Sequence, residues 1–151
     1  MTQLEALKAI AARDGGLLRP QAVVDAARDE ESPLHGAFCW DDTEAARKYR
    51  LWQAQDLIRS FRVKIEEAGQ TVEVPVFVGV SSDRTHGTAD NPYRLTASVK
   101  ACPDLLAVAV SDALDQLEAL RDRYARLKEL SDVWEAIDKH VARRKKGKAT
   151  A

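Results

Sequence analysis

Only two cysteines occur in 151 residues, at Cys39 and Cys102. So few exclude a disulfide framework and a thiolate metal cluster, and free thiols suit a reducing compartment. Glycine is sparse and, apart from Gly15-Gly16, isolated, so no glycine loop cradles phosphate. No apolar run nears the ~18–20 residues that would span a bilayer, and no membrane association is expected. The opening MTQLEALKAI lacks the basic-then-apolar order of a signal peptide, so the expected location is the cytoplasm. Disorder is excluded as well, because hydrophobic residues make up 45% of the chain.

Residues that carry chemistry are equally scarce. His35, His86 and His140 fall on three different elements, and neither HExxH nor CxxC occurs. Ser81, Asp83 and His86 are strung along one polar loop, whereas a catalytic triad needs its members on separate rigid elements. Cys39, beside Trp40, is expected to pack rather than to act as a nucleophile. The expectation is a protein without catalytic residues, metal or cofactor.

Charge, by contrast, is plentiful and segregated. The net charge is only −1, yet residues 1–44 carry −5 and residues 45–64 carry +5. Residues 101–142 carry −4, and the last nine residues carry +5 without a single acid. Two basic islands on an acidic body suit local contacts with phosphate.

Spacing predicts the elements. Leu4, Leu7, Ile10 and Ala11 make one helical face over residues 3–13, closed by the Gly15-Gly16 pair. Pro20 opens a second helix with Val23, Val24 and Ala27 inward. Ser32-Pro33 opens a short third helix through Phe38. A fourth runs from Thr43 to Ser60, capped by Asp41 or Asp42, with Ala46, Leu51, Ala54, Leu57, Ile58 and Phe61 on one side. The period then changes to two. Phe61 to Glu66 and Val72 to Val80 alternate as a β-hairpin, in which Pro75 marks an edge strand. Residues 81–92 read as a mobile polar loop. From Pro103 to about Lys146 one long helix is expected. Its seam of Leu106, Val110, Ala113, Leu117, Leu120, Tyr124 and Leu127 alternates four and three, and after one extra three-residue step it continues through Leu130, Trp134, Ile137 and Val141. Such a helix is too long for a domain of this size to cover, so it either breaks into a hairpin near 130–132 or pairs with another subunit.

The predicted class is therefore α+β, mainly α. A helical, winged-helix-like unit with a β-hairpin occupies 1–80, a loop and linker 81–102, a coiled-coil or helical-hairpin oligomerisation region 103–146, and a basic tail 147–151. In a winged helix the last helix enters the major groove and the hairpin touches the backbone. Arg47, Lys48, Arg50, Trp52, Gln55 and Arg59 on the fourth helix are of types suited to that task. So are Arg62 and Lys64 on the hairpin, and Arg143, Arg144, Lys145 and Lys146 at the end of the chain. Leu106, Val110, Leu117, Leu120, Tyr124, Leu127, Trp134 and Ile137 are the candidate oligomerisation contacts.

The run Ser32-Pro33-Leu34-His35, with Phe38, Trp40-Asp41-Asp42, Ala45-Ala46 and Tyr49-Arg50, resembles small proteins of unknown function from tailed phages and prophages. The resemblance extends over most of residues 15–135, taking in VPVFVGVSSDRTHG, the Tyr93-Arg94 pair and the leucine-rich helix. It carries no catalytic role. It implies a mobile-element origin in a bacterial host, where small DNA-binding and regulatory proteins are frequent. The expected function is an oligomeric, non-enzymatic protein that binds double-stranded DNA. The alternative is a coiled-coil adaptor or inhibitor whose partner is a phage or host protein.

Overall fold

The computed structural model describes residues 1–151 apart from 41–43, 68, 89 and 150–151, with side chains for these except 44–45, 67 and 144–149. The fold is α+β and mainly helical. The chain divides into two compact units, Met1–Leu106 and Ala107–Ala151.

The first unit opens with α1 (Gln3–Arg13), capped reciprocally. Thr2 Oγ1 accepts from Glu5 N at 3.2 Å, and the Glu5 carboxylate accepts from Thr2 N at 2.7 Å. Gly15 and Gly16 stop the helix at φ +58° and +87°, angles that side chains disfavour, and Gly16 N donates to Ala11 O at 2.8 Å. The reversal leads into a two-residue strand, β1 (Leu17–Leu18), then α2 (Pro20–Ala27) with its proline in the first turn. The residue before α2 offers no side-chain cap. Instead Asp90, 69 residues downstream, accepts from Gln21 N at 2.8 Å.

The expected third helix is only a 3₁₀ turn, His35–Ala37. Ser32 Oγ accepts from Leu34 N at 3.3 Å, a local bond that competes with helix, and Phe38 is already extended at φ −125°, ψ 151°. α3 (Glu44–Ser60) packs chiefly on α2, burying Ala54 and Ile58 fully and Leu51, Leu57 and Phe61 in part. Its expected caps, Asp41 and Asp42, and Thr43 lie outside the described residues. The core joins these side chains to Leu7, Ala11, Leu18, Val23, Leu34 and Phe77.

The hairpin forms as β2 (Arg62–Glu67) and β3 (Gln70–Pro75), with Val63 opposite Val74 and Ile65 opposite Val72. Its second strand does not continue unbroken to Val80. Pro75 has no N–H to extend the ladder, and Thr96 pins the corner, donating from Oγ1 to Pro75 O at 2.7 Å and from N to Val76 O at 2.9 Å. Beyond that corner β4 (Phe77–Val78) enters a second antiparallel sheet of order β1-β5-β4, centred on β5 (Tyr93–Leu95). β1 thus pairs with β5, and the hairpin stands as a separate two-stranded sheet.

Residues 81–102 are not a linker. They contain a 3₁₀ turn (Ser81–Asp83), β5 and α4 (Thr96–Ala101). Arg94 grips Asp83 with two bonds, 2.5 Å from Nε and 2.8 Å from Nη2, and Asp90 caps α2, so the polar loop is tied down twice. The hydrogen bond to Asp83 holds the Arg94 guanidinium above its ordinary pKa.

α5 (Pro103–Tyr124) crosses the unit boundary, and α6 (Ser131–Ala149) completes the second unit. The continuous helix expected over 103–146 is therefore corrected. A turn at Ala125-Arg126, an extended Leu127 (φ −84°, ψ 101°) and a 3₁₀ turn (Lys128–Leu130) divide it. The division falls where the heptad seam slips by three residues. Arg121 donates to Asp138 of α6 and, at 3.3 Å, to Asp122. The hydrogen bond to Asp122 and the charge of Asp138 raise its pKa. Of the expected basic tail, residues 147–149 are helical, since α6 extends to Ala149, and 150–151 lie outside the described residues.

Candidate nucleic-acid interface

Helical geometry gives α3 two unlike sides. The inner side holds Ala54 and Ile58, and it also holds Arg50, which is only 3% exposed. Arg50 Nη1 donates to Cys39 O at 3.0 Å, and its guanidinium lies 5.5 Å from the centre of the Trp40 ring. A side chain so placed is not presented to DNA, so Arg50 is corrected from interface to scaffold.

The residues around it give the run from His35 to Trp40 a structural role. The His35 and Trp40 rings stack at 5.1 Å, Trp40 Nε1 donates to His35 O at 3.2 Å, and Phe38 tilts against Trp40 at 5.7 Å. His35 Nδ1 lies 2.9 Å from Ala27 O. This aromatic latch fastens the segment after α2 onto α3. Cys39 sits between the inward Phe38 and Trp40 on extended chain and is exposed, contrary to the expectation that it packs.

The outer side of α3 presents Lys48, Trp52 and Arg59, all exposed, with Gln55 half-buried. Tyr49 is exposed beside them, and Arg47 is exposed near the N-terminal end although it falls on the azimuth of Ala54 and Ile58. Tyr49 and Trp52 stack at 5.6 Å although both are about half exposed, making a flat aromatic platform beside Lys48. Arg47 and Lys48 form no ion pair among the described residues. At the C-terminal end Arg59 Nη1 meets Asp56 at 3.6 Å and its Nε donates to Tyr93 Oη at 3.2 Å. A polar cleft of about 430 Å³ lies there, lined by Gln55, Arg59, Arg84, Asn91 and Tyr93 among others. The sequence pattern does not point to Arg84. An arginine in a polar loop carries no periodic signal, and only the Asp83–Arg94 tether and β5 bring it beside α3.

On the hairpin, Arg62 and Lys64 share the polar face. Lys64 lies 3.9 Å from Glu73, and Arg62 Nη2 donates to Glu73 O at 3.2 Å. Both stay exposed. Arg143 is exposed on α6, and the side chains of Arg144, Lys145 and Lys146 lie outside the described residues. Of the candidate oligomerisation residues, Leu106, Val110, Leu117, Leu120, Tyr124 and Leu127 are 37–47% exposed. Ile137 departs from that set: it is buried within the chain, so it is not a free contact, and Trp134 is half-buried.

Among the described residues no group of three or more histidine, cysteine, aspartate and glutamate side chains is placed to hold a metal. The Asp83 carboxylate, adjacent to the serines of its loop, is engaged by Arg94. No described helix is long and apolar enough to cross a membrane.

Fold and site together define a class: an α+β, mainly helical protein with one basic and aromatic helix face and a free-standing hairpin. No family model, curated protein or solved structure matches the chain.

Proposed function

We propose that this chain is a non-enzymatic, self-associating DNA-binding protein of phage or prophage origin. The observation that carries the reading is the outer face of α3. Lys48, unpaired among the described residues, forms one stripe with Trp52, Gln55 and Arg59, and Tyr49 stacks on Trp52 beside it. Arg47 is exposed near the N-terminal end of the helix, and Arg62 and Lys64 follow on the next element. Lysine and arginine neutralise phosphate, arginine and glutamine also hydrogen-bond base edges, and an exposed tryptophan packs on sugar or base. Helix α3 followed at once by a hairpin resembles the order of a winged helix, with the difference that β1 pairs outside the hairpin. The apolar stripe of α5 would join subunits, and the basic end of α6 would add affinity through charge alone.

A mobility-shift titration with duplex DNA over a range of salt tests this. Lys48→Ala with Arg59→Ala should leave folding unchanged within about 0.5 kcal/mol, since both side chains are exposed. Binding should weaken by about 1–3 kcal/mol for each base-edge interaction removed, and the salt slope should flatten. A folded double variant that shifts DNA as well as the parent overturns the reading.

The exposed stripe of α5 favours a second reading, a protein-interaction module without DNA. An apolar helix interface would resist salt, whereas a phosphate interface would weaken steeply.

A further inference from the structure

The hairpin has a second face. Residues opposed across a ladder share a face, so Val63 with Val74 and Ile65 with Val72 make an apolar patch on one side, which the Glu67–Gln70 pair follows at the turn. The other side carries Arg62, Lys64, Glu66 and Glu73. A two-stranded sheet is marginal alone and gains by covering its apolar side. Here that side is open: Val63 is 46% and Val72 40% exposed.

The open face is one wall of a groove of about 430 Å³, completed by Leu4 and Lys8 of α1 and by residues from Leu95 to Lys100 around α4. Its lining is mostly aliphatic, with cations at Lys8, Arg62 and Lys100 and no carboxylate. Neither Lys8 nor Lys100 forms an ion pair among the described residues. The complement of such a groove is a helix that is apolar on one side and acidic elsewhere.

The chain itself contains one. Residues 103–120 carry Asp104, Asp112, Asp115 and Glu118 and not one base. Their apolar stripe of Leu106, Val110, Leu117 and Leu120 is exposed. At 100° per residue Asp112 and Glu118 flank that stripe on either side.

We propose that the hairpin groove of one copy receives α5 of a second copy, the exchange being reciprocal about a two-fold axis. This rests on the self-association in the function proposed above and names the surface that serves it. Reciprocity uses the groove twice, so two modest contacts combine into one dimer interface. It also leaves Lys64, Glu66 and Glu73 on the side of each hairpin away from the groove, which Arg62 borders at the end of the ladder.

Charge exchange tests the assignment in the full-length protein. Lys8→Glu with Lys100→Glu reverses the groove, and Asp112→Lys with Glu118→Lys reverses the helix. Each pair should weaken the dimer measured by sedimentation equilibrium by about tenfold or more, and all four together should restore it. Glu118→Lys alone against the reversed groove replaces the helix pair if Asp112→Lys perturbs folding by circular dichroism. Three results overturn the proposal. A dimer indifferent to groove reversal places the interface elsewhere, as in an α5–α5 coiled coil, while self-association stands. Additive weakening in the fourfold variant shows that the two surfaces do not meet. An unmutated chain that stays monomeric at micromolar concentration removes both the groove assignment and the self-association beneath it. DNA binding is read on the Lys48/Arg59 variant, so its failure is separately visible.

Discussion

At the scale of single residues, charge type says less than neighbours do. Arg47, Lys48 and Arg50 fall within one turn of α3, yet two are exposed and the third is interior. The 100° step places Arg50 near Ala54 and Leu57, and that part of its fate is legible in the sequence. Its partners are not legible, because the Cys39 carbonyl and Trp40 ring arrive from a turn whose path no period encodes. Arg50→Ala should therefore cost about 1.5–3 kcal/mol, as removal of a charged hydrogen bond does, measured by urea denaturation. Arg50→Lys should recover little, since an ammonium lacks the planar fork that both donates to Cys39 O and lies against an indole. Glu5 makes a different case. Its bonds to the Thr2 backbone and then the Thr2 side chain lower its pKa. A carboxylate with a lowered folded pKa stabilises above its unfolded pKa, about 4.3, and that contribution is lost as pH falls through the folded value. Glu5→Gln should thus flatten the acid limb of the thermal stability profile while changing little below it.

At the scale of elements, what is local is legible. α1, α2, α3 and the hairpin follow from apolar spacing, the Gly15-Gly16 stop, Pro20 and a change of period from 3.6 to two, all contained within short windows. The sheet of β1, β5 and β4 is not, because strands of two or three residues are too short to show a period and their pairing spans most of the first unit. Residues 81–92 look like untethered loop for the same reason: Asp83 and Asp90 find their partners at Arg94 and Gln21. Asp90 supplies from afar the cap that Arg19 does not. Asp90→Ala should cost about 1 kcal/mol, the usual penalty at a helix N-terminus, and should raise amide exchange in the first turn of α2. If exchange there is unchanged, water satisfies Gln21 N equally well.

At the scale of the whole molecule, the seam on α5 is legible and its continuity is not. The repeat of four and three runs through Tyr124 to Leu127, and the backbone turns there instead of carrying the phase slip along one rod. Leu117 and Leu120 remain exposed on α5, and burying such side chains is worth ~1.5–3 kcal/mol each. Leu120→Asp should shift the assembly to monomer at micromolar concentration in light scattering while helix content holds. Persistence of the assembly would mean that its subunits meet without α5. The candidate interface is half legible: the stripe on α3 emerges from spacing, whereas the cleft at its end depends on a long-range sheet.

That sheet also governs synthesis. Leu17 and Leu18 wait for Tyr93 and Arg94, so nearly all of the first unit must leave the ribosome before its central strand can be placed. Non-local pairing of this kind slows folding, and until it completes the buried side of β1 is open to solvent. A nascent chain arrested before β5 should be sensitive to protease along α1 and α2, and one arrested beyond α4 resistant.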